Sequence, residues 1–339
     1  MGSNEYMIGI IGGSGFIGSS LANHLADSFD VKLLDVRVPK QRFGDTARFQ
    51  KCDIRNYGEV KKALEDVDLV IHAAIVQIPL INEDERLGYE VNFLGTENVC
   101  RVVDESPRVK GLILSGSWHT IGERGLKGVI DEEFGFRPDK VEDRARLYAL
   151  AKIAQESIVR FYDEMSEKVF GIIRMGTILG EGMPEKTAVN IFIENGLRGK
   201  ALTPFKHSMF RPMLYADVSD VCRAYENFVR KILNGEISEK GNSLAHIFNV
   251  YYPEPVTILE LAEIVKDAIV KYSDGQIEPE IEVVDTGQPS MFGEEDKKLV
   301  RVDVSKALNF LGLGRLKRPR DSVEKIVKSR VARLLIPSR

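Results

Sequence analysis

The stretch MIGIIGGSGFIGSSLANHLAD at residues 7–27 decides how the rest of the chain is read. An apolar run of strand character enters Gly12, Gly13, Gly15 and Gly18 and passes directly into a helical segment. Glycine at these places permits a tight turn, lets the backbone approach a pyrophosphate, and allows a helix to pack closely on a sheet. The helix N-terminus adds unpaired N–H donors and a positive dipole. Both G-x-x-G-x-x-G and G-x-G-x-x-G fit, so glycine spacing does not name a subfamily. Asp35 ends the next apolar run, VKLLD. A carboxylate there accepts hydrogen bonds from both adenosine ribose hydroxyls and repels a 2′-phosphate, so NAD is expected over NADP, with Arg37 the residue that argues for NADP. Asp53, in CDIR after the following run, is placed to reach the adenine edge.

Outward from this turn, apolar runs alternate with amphipathic stretches. MIGIIG, VKLLD, RFQKCD, DLVIHAA, GLILSGS and VFGIIRMG read as strands; GSSLANHLAD, YGEVKKALED, YEVNFLGTENVCRVVDE and YALAKIAQESIVRFYDEM read as helices. Strands apolar on both faces between helices predict a doubly wound α/β domain with a parallel sheet. After Gly176 the rhythm breaks into loops, short helices and mixed segments, with a helix expected to be capped at Thr257. The expected division is a nucleotide-binding domain of residues 1–176 plus about 212–250, and a smaller lobe of about 177–211 plus 251–330.

Composition narrows the function classes. Of 339 residues, 43% are hydrophobic and 29% charged, which fits a globular protein with a full core. The absence of an apolar run near the roughly 18–20 residues of a membrane span, and of a leader pattern, makes the cytoplasm the expected compartment. A formal net charge of −4 argues against a nucleic-acid partner. Cys52, Cys100 and Cys222 stand far apart without metal-ligand spacing, so buried thiols and no metal site are expected. The basic stretch 315–339 places Val323, Ile326, Val327, Val331, Leu334 and Leu335 near helical spacing, which predicts a docked helix with a solvated basic face.

Two YxxxK stretches, Tyr57–Lys61 and Tyr148–Lys152, put a phenol and an amine on one helix face. GGSGFIG, HAA, VNFLGTENV, LSGS, YALAK, FRPMLYADVSDV and VDVSKALNFLGL, in that order, separate them: the chain resembles the extended short-chain dehydrogenase/reductase family, in its NAD-dependent epimerase/dehydratase branch. The resemblance implies a Rossmann-type sheet with a mixed α/β C-terminal substrate lobe. It also implies catalytic roles for Ser117, Tyr148 and Lys152, with Tyr57–Lys61 an ordinary helix start. A phenol with a free pKa near 10 is a poor base at neutral pH, and a lysine ammonium beside a cationic nicotinamide would lower it. The resemblance extends the cofactor-binding set to Gly12, Gly15, Phe16, Ile17, Gly18, Asp35, Asp53, Ile54, Ala73, Ala74, Asn92, Ser115, Tyr148 and Lys152. It assigns substrate contacts to Ser117, Trp118, Thr177, Asn190 and Arg211. His72 is read as a packed strand residue.

For the reaction, dehydratase members carry a carboxylate just after the catalytic serine or threonine, where this chain has Trp118 and His119. Sugar epimerisation needs only hydride out, rotation of the ketone and hydride back, so a nucleotide-sugar epimerase like the UDP-glucose 4-epimerases is the leading expectation. An NAD-dependent dehydrogenase of a free sugar, uronate or other secondary alcohol is the alternative, ahead of a 4,6-dehydratase or a non-catalytic NAD-binding protein. Three departures bear on the substrate: Thr177 replaces a usual asparagine, ALTPFKHSMF lacks a glycine-rich segment, and Gln288 stands where a second phosphate-binding arginine is common. Lys206 and His207 could compensate, or the substrate carries no nucleotide. Arg211 suits a diphosphate by its fork of donors. The family habit of pairing two large-domain helices into a four-helix bundle implies a homodimer.

Overall fold

The computed structural model describes residues 5–335, apart from 42, 45 and 238–240. Seven strands form one parallel sheet: β1 Met7–Ile11, β2 Asp30–Asp35, β3 Ala47–Lys51, β4 Leu69–His72, β5 Gly111–Ser117, β6 Val169–Met175 and β7 Ile247–Val250. Their spatial order is 7-6-5-4-1-2-3, so the direction of winding reverses beside β1. The runs expected to be strands from the glycine turn to VFGIIRMG all enter this sheet.

Side-chain alternation explains the double cover. Ile8, Ile10, Leu33 and Ile113 face one core with Leu21, Ala22 and Leu25 of α1 (Phe16–Leu25) and Tyr225 and Phe228 of α6 (Val218–Leu233). Ile11, Leu34, Val70, Leu112 and Leu114 face the other, against α2 (Tyr57–Ala63), α3 (Thr96–Glu105) and α4 (Arg146–Met165). Both faces being buried is why these strands read as continuous apolar runs.

The helix expected over YEVNFLGTENVCRVVDE is interrupted. Glu90–Gly95 is a π-helical segment leading into α3, and it carries Asn92. Extra width at one turn re-aims the side chains within it, a feature concentrated at functional sites.

Three further long helices are α5 (Ala188–Leu197), α7 (Ile258–Tyr272) and α8 (Pro319–Leu335). Thr257 caps α7 in a reciprocal capping box with Glu260. Val323, Ile326, Val327 and Val331 bury one side of α8 while Leu334 stays exposed. The Leu335 side chain and residues 336–339 of the basic stretch lie outside the described residues.

One buried ion pair ties the sheet to α4. Arg174 on β6 and Glu156 on α4 are fully enclosed, the guanidinium donating to the carboxylate at 2.6–3.2 Å and to the Glu132 carbonyl at 2.9 Å. That pair fixes the helix on which Tyr148 and Lys152 stand.

Candidate active site

The turn after β1 is shaped for close approach. Gly12 sits at φ +80°, and a Cβ there would lie 2.6 Å from the Ala74 nitrogen; a Cβ on Gly18 would lie 2.3 Å from the Gly12 carbonyl oxygen. α1 starts from Gly15 with no side-chain cap and no acid in its first turn, so its leading N–H groups remain for an anion. Phe16 and Ile17 are half-buried at its start, and Ala73 and Ala74 follow β4 alongside. Asp35 is buried at the end of β2, accepting from the Ser14 and Arg37 nitrogens at 3.1 and 3.0 Å. Arg37 is largely exposed, 3.8 Å from that carboxylate. Asp53 is half-buried and paired with its neighbour: Arg55 donates to both carboxylate oxygens, which holds the acid below its usual range. Ile54 is buried against Gly95.

At the other end of the cleft, the β5–β6 register from Gly111↔Val169 to Ser117↔Met175 delivers Ser117 to the C-terminal edge of the sheet. Tyr148 stands in the first turn of α4 beside His119, and Ser117 favours its ionised form. Lys152 is buried one turn on; its ammonium donates to the Ser115 carbonyl at 2.7 Å and to Gln155 Oε1 at 3.2 Å. Gln155 in turn donates to the Ala74 carbonyl and to Thr96. Burial pushes Lys152 down to about 7, and it pushes Tyr148 up against the lowering effect of Ser117. The expected lowering of Tyr148 by Lys152 is therefore not a property of the chain alone. The Lys152 ammonium is directed into the polar network of Ser115 and Gln155.

Asn92 is fully buried and locks the chain after β4, accepting from the Val76 nitrogen at 2.7 Å and donating to its carbonyl at 3.2 Å. The Ser115 hydroxyl pairs with Tyr225 at 2.7 Å, so its carbonyl, not its side chain, is what meets Lys152. His72 is enclosed, bonded to Thr96, and pushed by burial to about 3, in keeping with a packed residue. Tyr57, by contrast, bonds Glu105 under the Arg101 guanidinium, away from Ser117.

The residues expected to contact a substrate have these surroundings. Trp118 is buried and donates from Nε1 to Thr177 at 3.3 Å. His119 places Nδ1 3.2 Å from Ser117 Oγ and Nε2 3.3 Å from Glu123, with its ring edge-on to Tyr148 at 5.7 Å. Glu123 is nearly enclosed; burial opposes its charge, yet His119 and the nearby Arg211 and Arg144 hold it at about 2. Arg211 pairs with Glu142 and lies 3.6 Å from Glu123, while its Nε has no hydrogen-bond partner. The buried Asn190 likewise has Oδ1 unpartnered. Lys206 is exposed and paired with Asp285 at 2.9 Å, and His207 bonds Thr286. Glu123 was missed from sequence, although its place four residues after His119 was the available signal.

The cleft can thus hold a dinucleotide along the glycine turn and place a phenol, a hydroxyl and an imidazole against a reacting oxygen. A sequence profile described as the NAD dependent epimerase/dehydratase family matches residues 8–250. A UDP-glucose 4-epimerase of Rickettsia canadensis is 25% identical over 262 residues, 70% of each chain. The sterol-4-alpha-carboxylate 3-dehydrogenase, decarboxylating, of Bos taurus is 30% identical over 197 residues, 56% of this chain and about half (51%) of that protein's length. The solved UDP-glucuronic acid 4-epimerase of Bacillus cereus, in complex with UDP-glucuronic acid and NAD, superposes with a TM-score of 0.75 at 19% identity, covering 97% of this chain and 99% of that one; it shares the fold. NAD is the cofactor, and the uncapped helix start and Asp35 fit it. Because the profile runs from β1 to β7 and takes in Ser117, Tyr148 and Lys152, the chain belongs to the NAD dependent epimerase/dehydratase family.

Proposed function

We propose that the protein is an NAD-dependent sugar epimerase, with Tyr148 the acid–base group, Ser117 the donor to the developing carbonyl oxygen, and Lys152 the residue that holds the nicotinamide ribose. Bound NAD supplies a hydride acceptor and a positive charge that favours tyrosinate. The observation carrying this reading is that Ser117, at the end of β5, and Tyr148 both flank His119, with Lys152 one turn along the same helix as Tyr148. Tyr148 takes the hydroxyl proton as the carbon is oxidised and gives it back on return. Trp118, directly after Ser117, offers no acid–base group for eliminating a hydroxyl. A homodimer through the α3 and α4 region is supported by Leu94, Leu150 and Phe161, which are exposed there.

The engagement of Arg211 by Glu142 and Glu123 favours a second reading. A guanidinium already paired with two carboxylates is a poor diphosphate clamp, which suits a dehydrogenase of a free sugar, a uronate or another secondary alcohol. Mass spectrometry of ligands released from the purified protein, with a screen of UDP-, GDP- and free sugars, separates the two. Interconversion without net NADH supports the epimerase; stoichiometric NADH from one substrate rejects it in favour of the dehydrogenase.

Cofactor choice gives a further expectation. Asp35→Ala should weaken NAD by roughly 10- to 100-fold, the size of lost hydrogen bonds to a charged group, and erase discrimination against NADP. Calorimetric titration with both dinucleotides checks this, and equal affinities in the unaltered protein would refute the assignment of Asp35.

A further inference from the structure

We infer that Gln155 is the positioning residue for Lys152: its side-chain amide seats the ammonium so that one N–H donor is left for the bound dinucleotide. This rests on the reading of Lys152 as the residue that holds the nicotinamide ribose. Gln155 is fully buried on α4, three positions after Lys152. Its Oε1 accepts from Lys152 Nζ at 3.2 Å, while its Nε2 donates to the Ala74 carbonyl at 3.1 Å and to Thr96 Oγ1 at 3.0 Å. These partners allow the amide a single orientation. Turned over, it would set Nε2 against an ammonium, which only donates, and Oε1 against a carbonyl oxygen, which only accepts. Thr96 enforces the same choice. Its hydroxyl proton goes to the Asn92 carbonyl at 2.8 Å, so its oxygen is left to accept from Gln155 and from His72 Nε2 at 2.9 Å.

The fixed amide joins the walls of the cofactor cleft. Ala74 stands against the glycine turn, where a Cβ on Gly12 would lie 2.6 Å from its nitrogen. Asn92 belongs to the π-helical segment and Thr96 begins α3. Gln155 therefore ties the helix of Lys152 to the strand end beside the turn that receives the pyrophosphate. Lysine needs such a tie, because its ammonium rides on a flexible four-carbon stem with a large rotamer entropy. Among the described residues two acceptors meet it, the Ser115 carbonyl at 2.7 Å and Gln155 Oε1, and an ammonium has three donors. The third is the one left for a ligand hydroxyl. Without Gln155 the ammonium keeps one anchor and swings about the Ser115 carbonyl, so the ordering of its stem falls on NAD binding.

Calorimetric titration of NAD into the full-length protein tests this through a double-mutant cycle. Gln155→Met keeps the length of the side chain and should weaken NAD about tenfold, the low end for losing a hydrogen bond to a charged group. Lys152→Met should weaken it at least as much, and adding Gln155→Met to Lys152→Met should bring no further loss. A Gln155 that acted only by packing would lose the same factor in both backgrounds, and that result overturns the inference. Unchanged NAD affinity in Gln155→Met, beside a Lys152→Met that binds weakly, overturns it as well. If Lys152→Met itself binds NAD as the original protein does, the ribose-holding reading of Lys152 fails and takes the inference with it. Gln155→Glu has the same shape, keeps an oxygen acceptor on Lys152 and should hold NAD affinity close to the original. Where Gln155→Met does not fold, this variant decides alone, and a tenfold loss in it overturns the inference.

Discussion

Tyr148→Phe is expected to lower turnover by about 10²- to 10⁴-fold with NAD still bound, the usual contribution of a positioned general acid–base group. That range corresponds to about 2.7–5.4 kcal/mol on the barrier at 1.36 kcal/mol per decade. The substitution removes one oxygen and keeps the ring, whose packing beside Val76, Ile81 and Ala151 and edge-on to His119 is retained. Stability and dinucleotide affinity are therefore expected to stay close to the original values, so the loss falls on the chemical step. Turnover of the sugar identified by the ligand screen, with NAD affinity measured in parallel, checks both halves. Unchanged turnover would show that the proton leaves by another group; turnover and NAD affinity lost together would show that the phenol holds the cofactor rather than the proton.

Much of this site was legible in the sequence because its determinants are local. The glycine turn, the carboxylate ending β2 and the Tyr148–Lys152 spacing are each set by a few consecutive residues, and the continuous apolar strands announce a sheet covered on both faces. The contacts that redefine the site are nonlocal. Arg211 meets Glu142 across 69 positions and Trp118 meets Thr177 across 59, and no periodicity encodes such meetings. The pairing of Asp53 with Arg55 is local instead: a bidentate guanidinium two residues away satisfies a half-buried carboxylate. The π-helical segment Glu90–Gly95 was hidden because its residues, EVNFLG, carry no local signal that separates a π turn from an α turn, and the bonds of Asn92 within it to Val76 join segments sixteen positions apart.

Glu156→Leu should cost about 3–5 kcal/mol of stability, the range for removing one partner of a buried ion pair. Arg174 would keep its charge, since a guanidinium does not lose its proton in a protein, and it would remain enclosed in β6 with only the Glu132 carbonyl to accept from it. Arg174→Met is expected to behave differently. The stranded Glu156 carboxyl can be neutralised by a proton, so the native state of that variant binds more protons than its unfolded state and its stability recovers as pH falls. Glu156→Leu has no such escape, and its deficit should persist at every pH. Urea denaturation of the two variants against the original protein at several pH values measures this, and parallel pH dependences would sink the argument. Glu156 lies one turn beyond Lys152 on α4, so the same loss should loosen the seating of Lys152 on the Ser115 carbonyl and weaken NAD binding even where the protein remains folded.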